Sequence, residues 1–100
     1  MLIVLGTISA LPAEMARFVA EIGELATVTR QRDGNLSYDV AVLEAESGRL
    51  LVAECWRDEA ALAAHLRADD TVAFVSRWQG RTLGDVRKYD AGNARSLAVK

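Results

Sequence analysis

Residues 35–56, NLSYDVAVLEAESGRLLVAECW, decide the fold. Leu36, Tyr38, Val40 and Val42 alternate with Ser37, Asp39 and Ala41, the two-residue period of a strand. The polar run EAESG, ending in Gly48, supplies a turn, and RLLVAECW reads as a second strand. Two strands joined by a short polar turn form an antiparallel hairpin. In the second strand Leu50, Val52, Glu54 and Trp56 face one way and Leu51, Ala53 and Cys55 the other, so both faces are largely apolar. Such a sheet needs a cover on each side.

Working outward, the apolar stretch Met1 to Ile8 reads as a first strand. Ser9 is the expected cap of the following helix, and Pro12 suits its first turn, where a missing N–H has no intrahelical partner. Leu11, Met15, Phe18, Val19, Ile22, Leu25 and Ala26 then form one stripe, with Glu14, Arg17, Glu21 and Glu24 off it. DGN at 33–35 closes the helix region and opens the hairpin. Past the hairpin, Asp58 caps a helix with Glu59 in its first turn, and Leu62, His65 and Leu66 share a stripe directed to the interior. After a break at Asp69 and Asp70, a further helical stretch from Thr71 to Gln79 carries Val72, Val75 and Trp78, with Phe74 beside them. Gly80 ends it, and Leu83 to Tyr89 is the last strand.

The order βαββαβ is that of a ferredoxin-like α+β sandwich with a four-stranded antiparallel sheet. Two helices can cover only one face of a four-stranded sheet, and the simplest cover for the other is another copy of the chain, which predicts a homodimer. We expect one domain over 1–100, with a core of about 1–90 and a polar tail over 91–100, no internal repeat being present.

The 12 basic and 14 acidic residues are scattered, for a net charge of -2, so no phosphate-tracking surface is expected and nucleic acid is not an expected partner. MLIVLG lacks the basic start and cleavage site of a signal peptide, and no run approaches a membrane span of about 20 residues, so the expected location is cytoplasmic, without membrane association. Cys55 is the lone cysteine, in an apolar strand, and reads as a small hydrophobe. HExxH, CxxC, GxGxxG and P-loop motifs are missing, and neither a metal nor a cofactor is expected.

The segments DGNLSYDV (33–40), ECWRDEAALAAHL (54–66) and FVSRW (74–78) resemble the antibiotic biosynthesis monooxygenase superfamily. The sharpest elements are the Glu54, Trp56, Asp58, Leu62, His65 spacing and the Gly34-Asn35 entry to the middle strand. The resemblance implies a small dimeric α/β barrel and a cofactor-free oxygenase that uses O2 to oxidise a quinol, phenol or anthrone-like polycyclic aromatic. Such an enzyme needs a water-excluding pocket, an acceptor for the phenolic proton and donors for the resulting oxyanion.

The candidate catalytic residue is His65, either a general base or a hydrogen-bonded histidine that seats its helix on the sheet. Trp56, Tyr38, Phe74 and Trp78 are candidate substrate-binding residues that could equally fill the core. Asn35 is a candidate oxyanion donor, although its place after Gly34 favours turn chemistry. Glu54, on an apolar strand face, is expected either to pair with an arginine or to have its pKa raised by burial. An isomerase of phosphorylated autoinducer-type sugars and a non-catalytic binding protein are the alternatives. Heme degradation is disfavoured, because alignment on Trp56 puts Val75 where that branch has its axial histidine and His65 where it has its pocket tryptophan.

Overall fold

The computed structural model describes residues 1–98. Along the chain run β1 (Leu2–Ala10), a 3-10 turn (Pro12–Glu14), α1 (Met15–Thr29), β2 (Asn35–Glu44), β3 (Arg49–Trp56), α2 (Glu59–Arg67), α3 (Asp69–Trp78) and β4 (Thr82–Asp90). The sheet order is β2-β3-β1-β4 with every pair antiparallel, which is the ferredoxin-like α+β arrangement the pattern predicts. Residues 91–98 form no regular element, and the expected tail's last two residues, 99 and 100, lie outside the described ones.

Register sorts the side chains into two faces. Trp56, Glu54, Val52 and Leu50 of β3 stand beside Leu2, Val4, Gly6 and Ile8 of β1, and with Tyr38 and Val40 of β2 they meet the helices. Two clusters share this face. Phe18, Ile22 and Met15 of α1 pack with Phe74 and Trp78 of α3 on Leu50 and Val52, while Ala61 and Leu62 of α2 pack with Trp56 and Leu2. Each large apolar side chain so buried stabilises the fold by roughly 1.5–3 kcal/mol before entropy is counted. Ile3 and Leu5 of β1, Leu51, Ala53 and Cys55 of β3, and Leu83 and Tyr89 of β4 point to the opposite face, which no element among the described residues covers. The chain is accordingly a plate, 41 × 37 × 20 Å, of one sheet and one helical layer.

Several local expectations are corrected. Ser9 is no helix cap but the eighth position of β1's paired register, opposite Arg49 and Leu83; the turn before α1 follows Leu11, which gives no side-chain cap. Leu36 sits in an irregularity between Asn35 and Ser37, which breaks the alternation and leaves it exposed while Tyr38 is buried. Asp69 and Asp70 are the first turn of α3, not a break; the break is the extended residue Ala68. Starting α3 two residues earlier makes Thr71, Phe74 and Trp78 the buried stripe, and Val72 and Val75 face solvent. Leu66, expected to point inward with His65, is 57% exposed. Asp58 does cap α2, its carboxylate accepting from Ala61 N at 2.8 Å.

Two glycines shape the sheet. Gly34 has φ +82°, a left-handed backbone that glycine adopts without strain, and its carbonyl accepts from Arg57 N at 2.8 Å, tying the loop before β2 to the end of β3. At Gly6 a side chain would run into the Asp85 carbonyl, so β4 lies against β1 more closely than any other residue type would permit.

Candidate functional site

His65 lies in the last turns of α2 and is 4% exposed, held over the sheet by the Asp58 cap at the start of that short helix. Its ring lies against Trp56, centroids 4.9 Å apart and planes 30° from parallel, and meets Tyr38 edge-on at 6.1 Å. Arg32, in the loop after α1, brings Nη1 to 2.6 Å from His65 Nδ1. A guanidinium only donates, so Nδ1 accepts and the neutral ring carries its proton on Nε2. Burial, reinforced by the Arg32 charge and partly opposed by Asp70, lowers the His65 pKa to about 4. Arg32 Nη1 also donates to Thr71 Oγ1 at 3.1 Å, and Nη2 pairs with the Asp70 carboxylate. One guanidinium thus fastens the α1 loop, α2 and α3 together.

Glu54 is 8% exposed and faces the helices. The arginine partner expected for it is absent among the described residues. Instead Oε1 accepts from the Trp56 indole Nε1 at 2.9 Å, and burial raises the carboxyl pKa, with that hydrogen bond pulling the other way. Tyr38 stands opposite Glu54 on β2, and burial, aided by the Glu54 charge, pushes its phenol up. Asn35 commits its side-chain amide to the backbone, donating to Ser37 O at 3.1 Å and lying 3.5 Å from Cys55 O. It fixes the irregular start of β2.

The structure therefore brings together His65, Trp56, Tyr38 and Glu54, with Asn35 at their margin. Phe74 and Trp78 are elsewhere, packed on Phe18 with centroids at 5.6 and 4.9 Å. They line an apolar cleft of about 330 Å³ with Ile8, Phe18, Val75 and Thr82. His65 itself borders a polar cleft of about 400 Å³ alongside Arg32, Asp33, Arg57 and the alanines of α2. The two regions are linked through α3, where Thr71 and Phe74 are one turn apart on the same side. Among the described residues no group of three or more His, Cys, Asp or Glu is placed to hold a metal ion.

Arg32, Thr71 and Phe18 are members of these sites that sequence reasoning did not single out. Phe18 was legible as core. Arg32 carried no signal beyond a basic residue past a helix end, because its partners His65 and Thr71 lie 33 and 39 residues further on.

The profile of the antibiotic biosynthesis monooxygenase family matches residues 1–77. A candidate antibiotic biosynthesis monooxygenase from Deinococcus radiodurans is 27% identical, superposes with a TM-score of 0.88, and the match covers 99% of this chain and 100% of that one. A second protein described as an antibiotic biosynthesis monooxygenase is also 27% identical, with TM-score 0.81 over 93% of this chain and 100% of its own. A Mycobacterium tuberculosis protein shares the fold at 22% identity, with TM-score 0.83 over 95% of this chain and 98% of its own. No curated protein matches the chain significantly. No helix among the described residues is long and apolar enough to cross a membrane. With the profile spanning the first three strands, α1, α2 and nearly all of α3, the chain belongs to the antibiotic biosynthesis monooxygenase family.

Proposed function

We propose that the protein is a cofactor-free oxygenase that oxidises a quinol, phenol or anthrone-like polycyclic aromatic with O2. For an anthrone the balance is closed: one oxygen atom replaces two ring-carbon hydrogens as a carbonyl, and the other leaves with those hydrogens as water. The electrons come from the ionised substrate, so the protein's part is to manage a proton and an oxyanion.

The observation that carries this reading is the state of His65. The ring is largely buried and neutral and its Nδ1 is taken by Arg32; its Nε2–H makes no hydrogen bond among the described residues, and since no buried side-chain polar atom among them lacks a partner, that N–H is open to solvent and to a ligand. An N–H held in that way suits an oxyanion donor better than a base. Glu54, with a raised pKa and no cation beside it, is the better candidate for the phenolic proton. Phe74 and Trp78 offer the flat apolar surface of the neighbouring cleft.

Oxygen uptake by metal-stripped protein with naphthoquinols and anthrones, corrected for autoxidation, tests this. We expect uptake above the blank, a loss of about 100-fold in His65→Ala, and partial recovery in His65→Gln, whose amide restores a donor. Absence of uptake with every electron-rich phenol defeats the proposal, and uptake unaffected by His65→Ala removes His65 from it.

A second reading, isomerisation of a phosphorylated sugar, is favoured by Arg32 and Arg57 beside His65 in the polar cleft. Against it, both guanidinium groups are already held by carboxylates, Arg32 by Asp70 and Arg57 by Asp33 and Asp58. Proton exchange at carbon in a bound sugar phosphate, without oxygen consumption, would establish it. The site is also proposed to work in a homodimer, a dimeric α/β barrel closed by the uncovered apolar face. Light scattering at micromolar concentration should give twice the chain mass, and a monomer mass would refute it.

A further inference from the structure

Gly84 lies within β4 on the side that looks toward the helices. It pairs with Ile8, and Ile8 and Thr82, its neighbours on that side, both border the aromatic cleft. Its backbone is ordinary strand, unlike that of Gly34, Gly48 and Gly80 with their positive φ. Nor does the fold need the space: a Cβ at Gly84 would meet only Ile8 Cγ1, at 3.9 Å. Gly6 is the contrast on the neighbouring strand, since β4 itself fills the space a side chain would take there. A glycine inside a strand weakens it. With no positive φ, no crowding and no break in the β1–β4 register at Gly84, close approach of something outside the chain is a physical reason for a glycine there.

The cleft has a matching need. At about 330 Å³ it is near the lower end of the roughly 300–1,000 Å³ of small-molecule sites. Phe18, Phe74 and Trp78 wall it on the helix side, and Ile8 and Thr82 floor it on the sheet side. The bare position at Gly84 continues that floor toward Val86, which faces the same way and is exposed.

We propose that Gly84 is a specificity-determining residue: it lengthens the aromatic cleft along β4, so that a flat ligand of three fused rings fits where a side chain would limit it to two. This rests on the reading that the cleft receives an aromatic substrate, and it selects the polycyclic members of that class.

The test is anaerobic equilibrium dialysis of the full chain against 2-naphthol and 2-anthrol, with Gly84→Ala and Gly84→Val beside the wild type. We expect the wild type to bind both probes. In Gly84→Val the three-ring affinity should fall at least about tenfold while the two-ring affinity stays within about twofold, with alanine intermediate. Valine favours strands, and circular dichroism with a thermal transition verifies that each variant is folded. Equal losses for both probes, no loss for either, or failure of the wild type to bind 2-anthrol overturns the proposal. So does a change in mass of Gly84→Val with binding unaltered, which would give the space to a second copy of the chain. Oxygen uptake is scored separately: size discrimination without uptake sinks the oxygenase reading alone, and uptake without size discrimination sinks this one alone.

Discussion

At one end of the helix-covered face the Trp56 indole donates to Glu54, a buried carboxyl with no cation near it; at the other the Trp78 indole donates to Glu21, which also receives Arg17 and Arg77. Burial raises the pKa of Glu54, whereas hydrogen bonds, first from Arg77 and then from Arg17, lower that of Glu21. The same pairing of tryptophan and glutamate thus serves two purposes. Near the surface it completes an ion network around the core aromatic cluster. In the interior it holds an acid short of solvation near a histidine kept neutral, and groups perturbed in this way are candidates for a functional site.

Acid titration gives the largest expected effect and separates the two ends. The His65 pKa in the folded state lies below its value of 6.5 in the unfolded chain, so the unfolded chain takes up the proton first and stability drains away as pH falls from 6.5 to about 4. At up to about 1.4 kcal/mol per pH unit, the loss is on the order of 3 kcal/mol. Glu54 acts with the opposite sign, its raised pKa adding stability as pH falls, while Asp70, Asp58, Asp33 and Glu21, all lowered, lose their contributions in more acidic solution. The difference between wild type and His65→Gln in denaturant midpoints across this window isolates the histidine. Identical acid limbs in the two proteins would erase the distinction between the ends.

A smaller effect sharpens it. Trp56→Phe and Trp78→Phe remove comparable volume from nearly inaccessible positions, but only the first leaves a buried carboxyl without its donor. Urea unfolding at neutral pH should find Trp56→Phe the more destabilising by about 1–3 kcal/mol. Equal costs would mean that Glu54 finds another partner or water.

The fold was readable because periodicity and turn residues agree: the hairpin around Gly48, the Asp58 cap and the α1 stripe each follow from neighbours in sequence. What escaped depends on more distant partners or on a shift of one or two residues. The α3 stripe moved from Val72 and Val75 to Thr71 and Phe74 because two aspartates that look like a break instead suit the positive end of the helix dipole. Leu66 faces out because the buried stripe of α2 is centred on Ala61, Leu62 and His65, and Leu66 falls beyond its edge. The site was half readable. His65, Trp56 and Glu54 share an interior that strand and helix periods predict, but the tautomer of His65 is fixed by Arg32 from another loop. Phe74 and Trp78, grouped with them on aromatic character, pack instead on Phe18.

The register of β1 bears on how the chain comes off the ribosome. Leu2 pairs with both Trp56 and Asp90, so β1 is flanked on one side only after the hairpin exists and on the other only after β4 has been made. Until then LIVLGTISA is a nascent segment without charge or proline, rich in branched side chains, and of the kind that associates with its own kind. The hazard in producing this protein is therefore one of timing: slow synthesis prolongs the interval in which β1 is unpartnered, and a holdase that covers β1 protects it until its partners arrive.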